Sequence, residues 1–242
     1  MKATGALHEN DTAPRGSGGQ PARGARGEII RLLDRQRGEA PAPGDGAGGT
    51  EPPAWESECA ARARRGDAAA FDRLVEAYAG RIHAHLWRIV RNREDAEDLA
   101  QETFLRAYRA LARFDARRPF RSWLYTIATN VGLNALRTRS RRLQPDSLDA
   151  SGVDGRPLRE AASPRREEQR EAVEQSERRA RLEAAIDQLP PRAAALVRLH
   201  YTEDMPLREA GEVVGLGESA AKVALFRARK QLRELLTGDG TS

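Results

Sequence analysis

The 242-residue sequence predicts an all-α protein: two small helical domains joined by a flexible linker, the C-terminal one with a helix-turn-helix. Three observations lead there. Aromatic residues make up only 5% against 32% charged, which suits small helical cores rather than one large one. Apolar residues recur at a period near 3.6 in several stretches between Asp67 and Leu236. Two other stretches, Met1–Ala54 and Leu143–Glu177, are dominated by turn-forming and charged residues. The expected organisation is a disordered N-terminal extension (1–54), a first domain (55–142), a linker (143–177), a second domain (178–236) and a short tail (237–242).

Charge and composition narrow the function classes. The net charge is +5 with both signs plentiful, and the sequence pI is about 9.8, which suggests a polyanionic partner. The single cysteine, Cys59, excludes an internal disulfide and a multi-cysteine metal site. No apolar run approaches the roughly 20 residues of a membrane span, so no membrane insertion is expected. The N-terminus has no apolar core of a signal peptide, and a cytoplasmic location is expected. No P-loop, metal-ligand cluster or nucleophile–base arrangement is visible, so neither an enzyme nor a cofactor or metal is expected.

Met1–Ala54 contains 11 Gly and 6 Pro, with seven acidic and seven basic side chains. Such a segment buries too little apolar area to offset its ordering entropy. Within it, Glu28–Arg37 could form a short helix, either transient or folding on a partner; alone it is too short to be stable. Order is expected to begin near Trp55–Gly66. Asp67 is a plausible N-cap for a helix carrying Phe71, Leu74, Val75, Tyr78, Ile82, Leu86, Ile89 and Val90. His83 and His85, two apart, do not share a helix face and read as ordinary helix residues.

After a turn at Arg91–Arg93 comes the most distinctive stretch, Asn92–Leu111. Ala96, Leu99, Ala100, Thr103, Phe104, Ala107, Tyr108 and Leu111 form its inward stripe. Glu94, Asp95, Glu97, Asp98 and Glu102 crowd its first half, and Arg106 and Arg109 its second. Acids early and bases late suit the helix dipole, so a plain solvated amphipathic helix is one reading. Five carboxylates in nine residues, inside a basic chain, also make a dock for a basic protein.

The string Asp-Ala-Glu-Asp-Leu-Ala-Gln-Glu-Thr-Phe resembles the core-binding segment of bacterial RNA polymerase sigma subunits, of the extracytoplasmic-function (ECF) group within the sigma-70 family. The resemblance implies that Asp95, Glu97, Asp98, Leu99, Gln101 and Glu102 bind core RNA polymerase.

A third helix, Phe120–Arg139, follows the loop Arg113–Pro119. Trp123, Leu124, Ile127, Ala128, Val131 and Leu136 are expected to face inward, and Tyr125, Thr126, Thr129, Asn130 and Asn134 outward. Arg137, Arg139, Arg141 and Arg142 extend it. Over Gly66–Arg142 there are 15 Arg against 9 acids, most of the acids lying in the docking helix. Cations that follow phosphates, rings that stack on bases and amides that read base edges are what single-stranded DNA recognition needs. The plainer alternative makes the aromatics core and the arginines solubilising.

RPFRSWLYTIATNVGLNALR resembles the family's promoter-melting and minus-ten segment, with Trp123, Leu124, Ile127, Ala128, Asn130 and Arg137 at the pattern's positions. The family usually has an aspartate where Asn134 stands. By this resemblance, Trp123, Tyr125, Thr129, Asn130, Asn134, Arg137, Arg139 and Arg141 contact minus-ten DNA, and the loop before the helix captures a flipped base.

Leu143–Glu177 carries nine acids against five bases and few apolar residues, and its last dozen residues grade toward helix. In the family this linker threads polymerase channels. Beyond it, Leu182, Ala185, Ile186 and Leu189 end a helix at Pro190-Pro191, and Pro191 can start the next, through Ala195, Leu196, Leu199 and Tyr201. A helix over Leu207–Val214, a turn at Gly215-Leu216-Gly217 and a helix from Glu218 to about Leu236 read as a helix-turn-helix. The last helix is expected to bury Ala221, Leu225, Ala228, Leu232 and Leu235. It has no acid between Glu218 and Glu234. A basic major-groove helix is the functional reading, an ordinary helical hairpin the alternative.

LPPRAAALVRLHY and LREAGEVVGLGESAAKVALFRARKQL resemble the ECF minus-thirty-five domain, with the departures Ala210-Gly211 for Ile-Ala, Ala220-Ala221 for Thr-Val, and Ala224 for an arginine. The resemblance assigns minus-thirty-five DNA contact to Glu218, Ser219, Lys222, Phe226, Arg227 and Arg229. It runs from about Ala63 to Leu236. The implied function is an ECF sigma factor that binds core RNA polymerase, directs it to promoters and assists melting. Its partners would be core polymerase, duplex and melted promoter DNA, with an anti-sigma factor as a further candidate. The rival reading is a regulatory protein that docks on polymerase with weakened promoter selectivity, suggested by the depleted recognition helix.

Overall fold

The computed structural model describes residues 53–142 and 166–238. The expected docking segment Glu28–Arg37, the first 23 residues of the expected linker and the end of the tail lie outside them. Among the described residues there are eight α-helices and no strand. The first group is α1 (Ala54–Arg64), α2 (Ala68–Val90), α3 (Arg93–Ala110), a 3₁₀ turn at Leu111–Arg113 and α4 (Phe120–Arg142). The second is α5 (Arg166–Asp187), α6 (Pro191–Tyr201), α7 (Leu207–Val213) and α8 (Glu218–Gly238). The helical onset of α5 at Arg166 matches the last dozen linker residues grading into helix.

Local chemistry sets the boundaries. Asp67 caps α2 by accepting from the Ala70 amide at 3.1 Å, and Asn92 caps α3 by accepting from the Asp95 amide at 2.9 Å. Between them Arg91 adopts a left-handed conformation, φ 52°, which costs a non-glycine residue about 1–2 kcal/mol. The turn reverses the chain within two residues, so α3 packs back along α2. Pro190 and Pro191 start α6, whose missing first amides need no partner.

The first core joins Phe71, Leu74, Ile82 and Leu86 of α2 to Phe104 of α3 and Phe120 and Leu124 of α4, all buried. Each such side chain contributes about 1.5–3 kcal/mol by leaving water. Phe114, Phe120 and Trp123 pack together, with centroids 4.9–5.7 Å apart, and anchor the loop before α4. The second group contributes Ile186, Leu189, Leu196, Leu199, Met205 and Leu225, which join the same contiguous buried cluster.

One helix was not visible in the sequence. α1 buries Glu56, Cys59, Ala60 and Ala63, a face of small residues and one acid rather than an apolar stripe. Glu56, 1% exposed, accepts from the Arg121 amide at 3.0 Å and from the Tyr78 hydroxyl. Its carboxylate thus caps α4 from a distant helix, where the helix dipole favours negative charge. Burial, and then the charge and hydrogen bond of Glu56, push the Tyr78 hydroxyl well above the usual phenol range, so it stays a donor.

Candidate partner and nucleic-acid surfaces

α3 presents its acids outward because Ala96, Ala100, Thr103, Phe104 and Ala107 face the core. Two of the acids are neutralised along the helix: Glu97 by Arg93 at 3.2 Å and Glu102 by Arg106 at 2.7 Å. Asp95 and Asp98 are exposed and form no ion pair among the described residues. Leu99 and Gln101 are half-buried at the edge of the same face, Leu99 against the core. The result is a carboxylate pair with an apolar and an amide neighbour, suited to a basic protein surface.

α4 divides into two halves. From Asn130 onward, Asn130, Asn134, Arg137, Arg139 and Arg141 are exposed, and Arg137 donates to Asn134 Oδ1 at 3.0 Å. Where the resembling family has aspartate, this contact is a neutral-acceptor hydrogen bond instead of an ion pair. The basic run needs counter-charge, and phosphates supply it. In the first half, Trp123 is half-buried among Phe114 and Phe120.

Tyr125 and Thr129 were expected to face outward; the structure corrects both. Each is fully covered. Thr129 Oγ1 lies 2.9 Å from His85 Nε2, and the Tyr125 ring meets the His85 ring edge-on at 5.1 Å. His85, read from the sequence as an ordinary helix residue, is buried and its pKa is pushed down to about 3, first by burial and then by the nearby Arg88 and Arg198. The imidazole is therefore neutral. The rest of the cover over Tyr125 comes from the second helical group: its hydroxyl donates to Glu203. Helical periodicity within α4 cannot register that contact.

The helix-turn-helix forms over α7 and α8, turning at Gly215 with φ 74°, a conformation that favours glycine. The two helices approach closely at Gly211, where an added Cβ would lie 2.8 Å from the Ala221 Cβ. On the outer face of α8, Glu218, Ser219, Lys222, Phe226, Arg227 and Arg229 are all exposed as expected, Phe226 at 70%. Several of the charges are already engaged. Lys222 pairs with Glu218 at 2.7 Å, and Arg229 sits 5.4 Å over the Tyr201 ring. Arg227 has no ion-pair partner among the described residues. As expected, Ala221, Leu225 and Ala228 are buried, with Leu232 and Leu235 half-buried.

Sequence reasoning missed a charged cluster between the two helical groups. Arg198, only 3% exposed, reaches Asp187 at 2.6 Å, Glu183 at 3.1 Å and the Arg88 carbonyl at 3.3 Å. Arg91 meets the same two acids from the first group, while its guanidinium lies 4.8 Å over Trp87. An arginine inside the apolar run Ala193–Leu199 was the available signal, because a buried guanidinium requires carboxylates around it. Among the described residues, no group of His, Cys, Asp or Glu is placed to hold a metal, and no helix is long and apolar enough to cross a membrane.

The first group coincides with a match to the Sigma-70 region 2 family over residues 74–142, and the second with a match to Sigma-70 region 4 over residues 179–232. The chain is 32% identical to the ECF RNA polymerase sigma factor SigW of Bacillus subtilis, over 72% of this chain and 92% of that one. It is 34% identical to the RNA polymerase sigma-H factor of Pseudomonas aeruginosa, over 72% and 90%. Among solved structures, CnrH in complex with the cytosolic domain of CnrY aligns with a TM-score of 0.55 at 26% identity, covering 78% of this chain and 99% of that one. Two sigma regions in the expected order, on a chain that spans nearly the full length of these relatives, give one conclusion: the protein belongs to the ECF group of RNA polymerase sigma factors.

Proposed function

We propose that this ECF sigma factor docks on core RNA polymerase through the exposed face of α3 and reads promoter DNA chiefly through the second half of α4. Asp95 and Asp98 supply the charge for docking, with Leu99, Gln101, Glu97 and Glu102 around them. Asn130 and Asn134 offer amides to base edges, while Arg137, Arg139 and Arg141 follow the phosphates of the melted strand. Trp123 and the loop before α4 supply a ring and a pocket beside them. α8 enters the upstream major groove with Arg227 as a cation that no acid holds. The expected domain limits, 55–142 and 178–236, serve as the working division, with the helical onset at Arg166 belonging to the second domain.

The sigma family is not an enzyme family, and the reading assigns this chain no chemistry of its own: melting is driven by binding energy that strengthens as bases leave the stack. It acts in the cytoplasm, where the polymerase is, and a protein partner of the anti-sigma kind remains a candidate. The observation that carries the proposal is the pairing, on one region-2 fold, of unneutralised carboxylates on α3 with an open basic and amide-lined face on α4. Reversing Asp95 and Asp98 to lysine should abolish co-purification with core polymerase while leaving helicity unchanged. Normal core binding by that folded variant contradicts the assignment.

The rival, a polymerase-docking protein with weakened selectivity, draws support from Lys222 being tied to Glu218. Polymerase pull-down followed by transcription from a genomic promoter library separates the two, since the rival binds core without enriching any promoter class.

A further inference from the structure

α8 carries its least protected apolar side chains on the line turned furthest from its own domain. Ala221, Leu225 and Ala228 are buried against the rest of the helix-turn-helix. At 3.6 residues per turn, the line opposite them runs Ser219, Val223, Phe226, Lys230, and all four are exposed. Its middle is apolar: Val223 is 50% exposed and Phe226 70%. By the same period, Lys222 and Arg229 flank this pair on one side and Arg227 on the other. The two other exposed aromatic rings among the described residues are each covered by a guanidinium, Trp87 by Arg91 and Tyr201 by Arg229. Phe226 has no ring and no guanidinium against it among the described residues.

An apolar apex rimmed by cations narrows what can cover it. Cations on both flanks fit the two phosphate walls of a groove that admits one helix. Between those walls the base edges present hydrogen-bonding groups and, on thymine alone, a methyl group. Val223 and Phe226 have no hydrogen-bonding atom in their side chains, and Ser219 adds one hydroxyl at the end of the line. Glu218 and Lys222, the nearest charged pair, engage each other at 2.7 Å. The base-edge feature that such an apex can recognise is therefore the thymine methyl.

We propose that Val223 and Phe226 select thymines in the upstream box, on either strand, by enclosing their C5-methyl groups. This chain then reads that box by apolar contact where a polar helix would use hydrogen bonds. The proposal rests on the reading of α8 as the major-groove helix. It also gives the upstream preference its size: enclosing one methyl is worth about fourfold in affinity, less than a good bidentate base contact.

Replacing thymine by deoxyuracil removes the methyl and leaves the base pairing and every hydrogen-bonding group in place. Holoenzyme formed from the full chain and core polymerase is titrated at fixed salt against a promoter recovered from the genomic library. Each upstream-box thymine, on either strand, is changed singly to deoxyuracil. One or two of these changes should weaken binding by about two- to fourfold each, while deoxyuracil between the two boxes should change nothing. In a double-mutant cycle, V223S/F226S should bind the thymine and deoxyuracil duplexes alike. Both positions are exposed, so the variant should keep wild-type helicity. A selected promoter with no thymine in its upstream box, wild-type binding indifferent to every deoxyuracil, or an equal loss in wild type and V223S/F226S overturns the proposal. Loss of core-polymerase binding by V223S/F226S, with the wild type indifferent to deoxyuracil, also overturns it and assigns the patch to a protein surface. Failure of the groove reading looks different: wild-type holoenzyme would leave the upstream box open to nuclease and tolerate scrambling of the whole box, and the proposal would fall with it.

Discussion

The two basic helices, the second half of α4 and the outer face of α8, carry similar numbers of cations but dispose of them differently. On α4, Arg139 and Arg141 have no ion pair among the described residues, and Arg137 has only the neutral Asn134 amide. On α8, Lys222 is held by Glu218, Lys230 lies 3.9 Å from Glu234 and Arg229 is stacked on Tyr201, which leaves Arg227 and Arg233 without an ion pair among the described residues. Counting basic residues makes the helices equivalent; following their partners leaves α4 the larger share of unpaired cations, which on the proposed reading makes it the stronger phosphate tracker and base reader. The lesson is that a basic helix is characterised by the cations its own acids leave free.

The largest effect should come from stripping the freer helix. Removing Arg137, Arg139 and Arg141 together should flatten the salt dependence of promoter binding by the holoenzyme by roughly 2 units of log K per log salt, at about 0.7 for each single-strand contact. Replacing Lys222, Arg227 and Arg229 should flatten it by less, although duplex contacts are worth about 0.9 each. Equal losses in matched titrations would break the comparison.

The supports of the two helices also differ. α4 rests on neutral, buried His85; α8 has no buried histidine behind it. Because the folded pKa is depressed to about 3, the unfolded chain binds a proton below pH 6.5 that the folded chain refuses. Stability contributed by this group is present above pH 6.5 and is lost as pH falls, by about 1.4 kcal/mol per pH unit until pH approaches 3. Denaturant melts between pH 7 and 5 should show this loss, and His85→Gln should flatten it. A wild-type stability that is level across that range would show that the ring accepts a proton in place.

The support behind α8 is steric. Gly211→Ala would force a Cβ to within 2.8 Å of Ala221 and should cost about 1–3 kcal/mol in thermal melts, with loss of upstream binding. Adding Ala221→Gly should recover part of it, less about 1 kcal/mol for glycine within a helix. This pair also explains two of the departures from the family pattern. Ala210-Gly211 and Ala220-Ala221 are not independent losses of DNA-reading groups: Ala221 is buried against Gly211, so the two small residues compensate one another in packing. Only Ala220, exposed, and Ala224, half-buried, remain as positions that could have touched DNA.

How much of this was legible beforehand follows from the range of each interaction. The cap at Asp67, the turn at Arg91–Arg93, the proline start of α6 and the turn at Gly215 are local, and the sequence showed them. The acid face of α3 and the exposed residues of α8 follow from helical periodicity and also emerged correctly. Tyr125 and Thr129 did not, because His85 lies 40 residues from the first and 44 from the second, and Glu203 lies 78 residues from Tyr125. α1 was missed as a helix for the same reason: its buried face is completed by Tyr78 and the start of α4, not by an apolar stripe of its own. The carboxylates of α7 looked like ordinary surface charges until the fold placed them against α4.

Smaller gains should come from restoring what α8 lacks. Ala224→Arg can extend from a half-buried position toward the groove and should tighten upstream-box binding by up to about 1–3 kcal/mol where it meets a guanine. Glu218→Gln frees Lys222 and should add less, since an exposed ion pair is worth about 0–1 kcal/mol. Gains in the reverse order would show that Lys222, not the missing arginine, limits this helix.

The most direct test of the central claim is a point-mutated promoter series, with every position of the minus-ten and minus-thirty-five boxes changed singly and transcription measured with wild-type holoenzyme at one salt concentration. The account expects changes in the downstream box to reduce transcription more severely than changes in the upstream box. Upstream changes that are as damaging as downstream ones would contradict it, and would mean that α8 reads bases despite the partners its cations already hold.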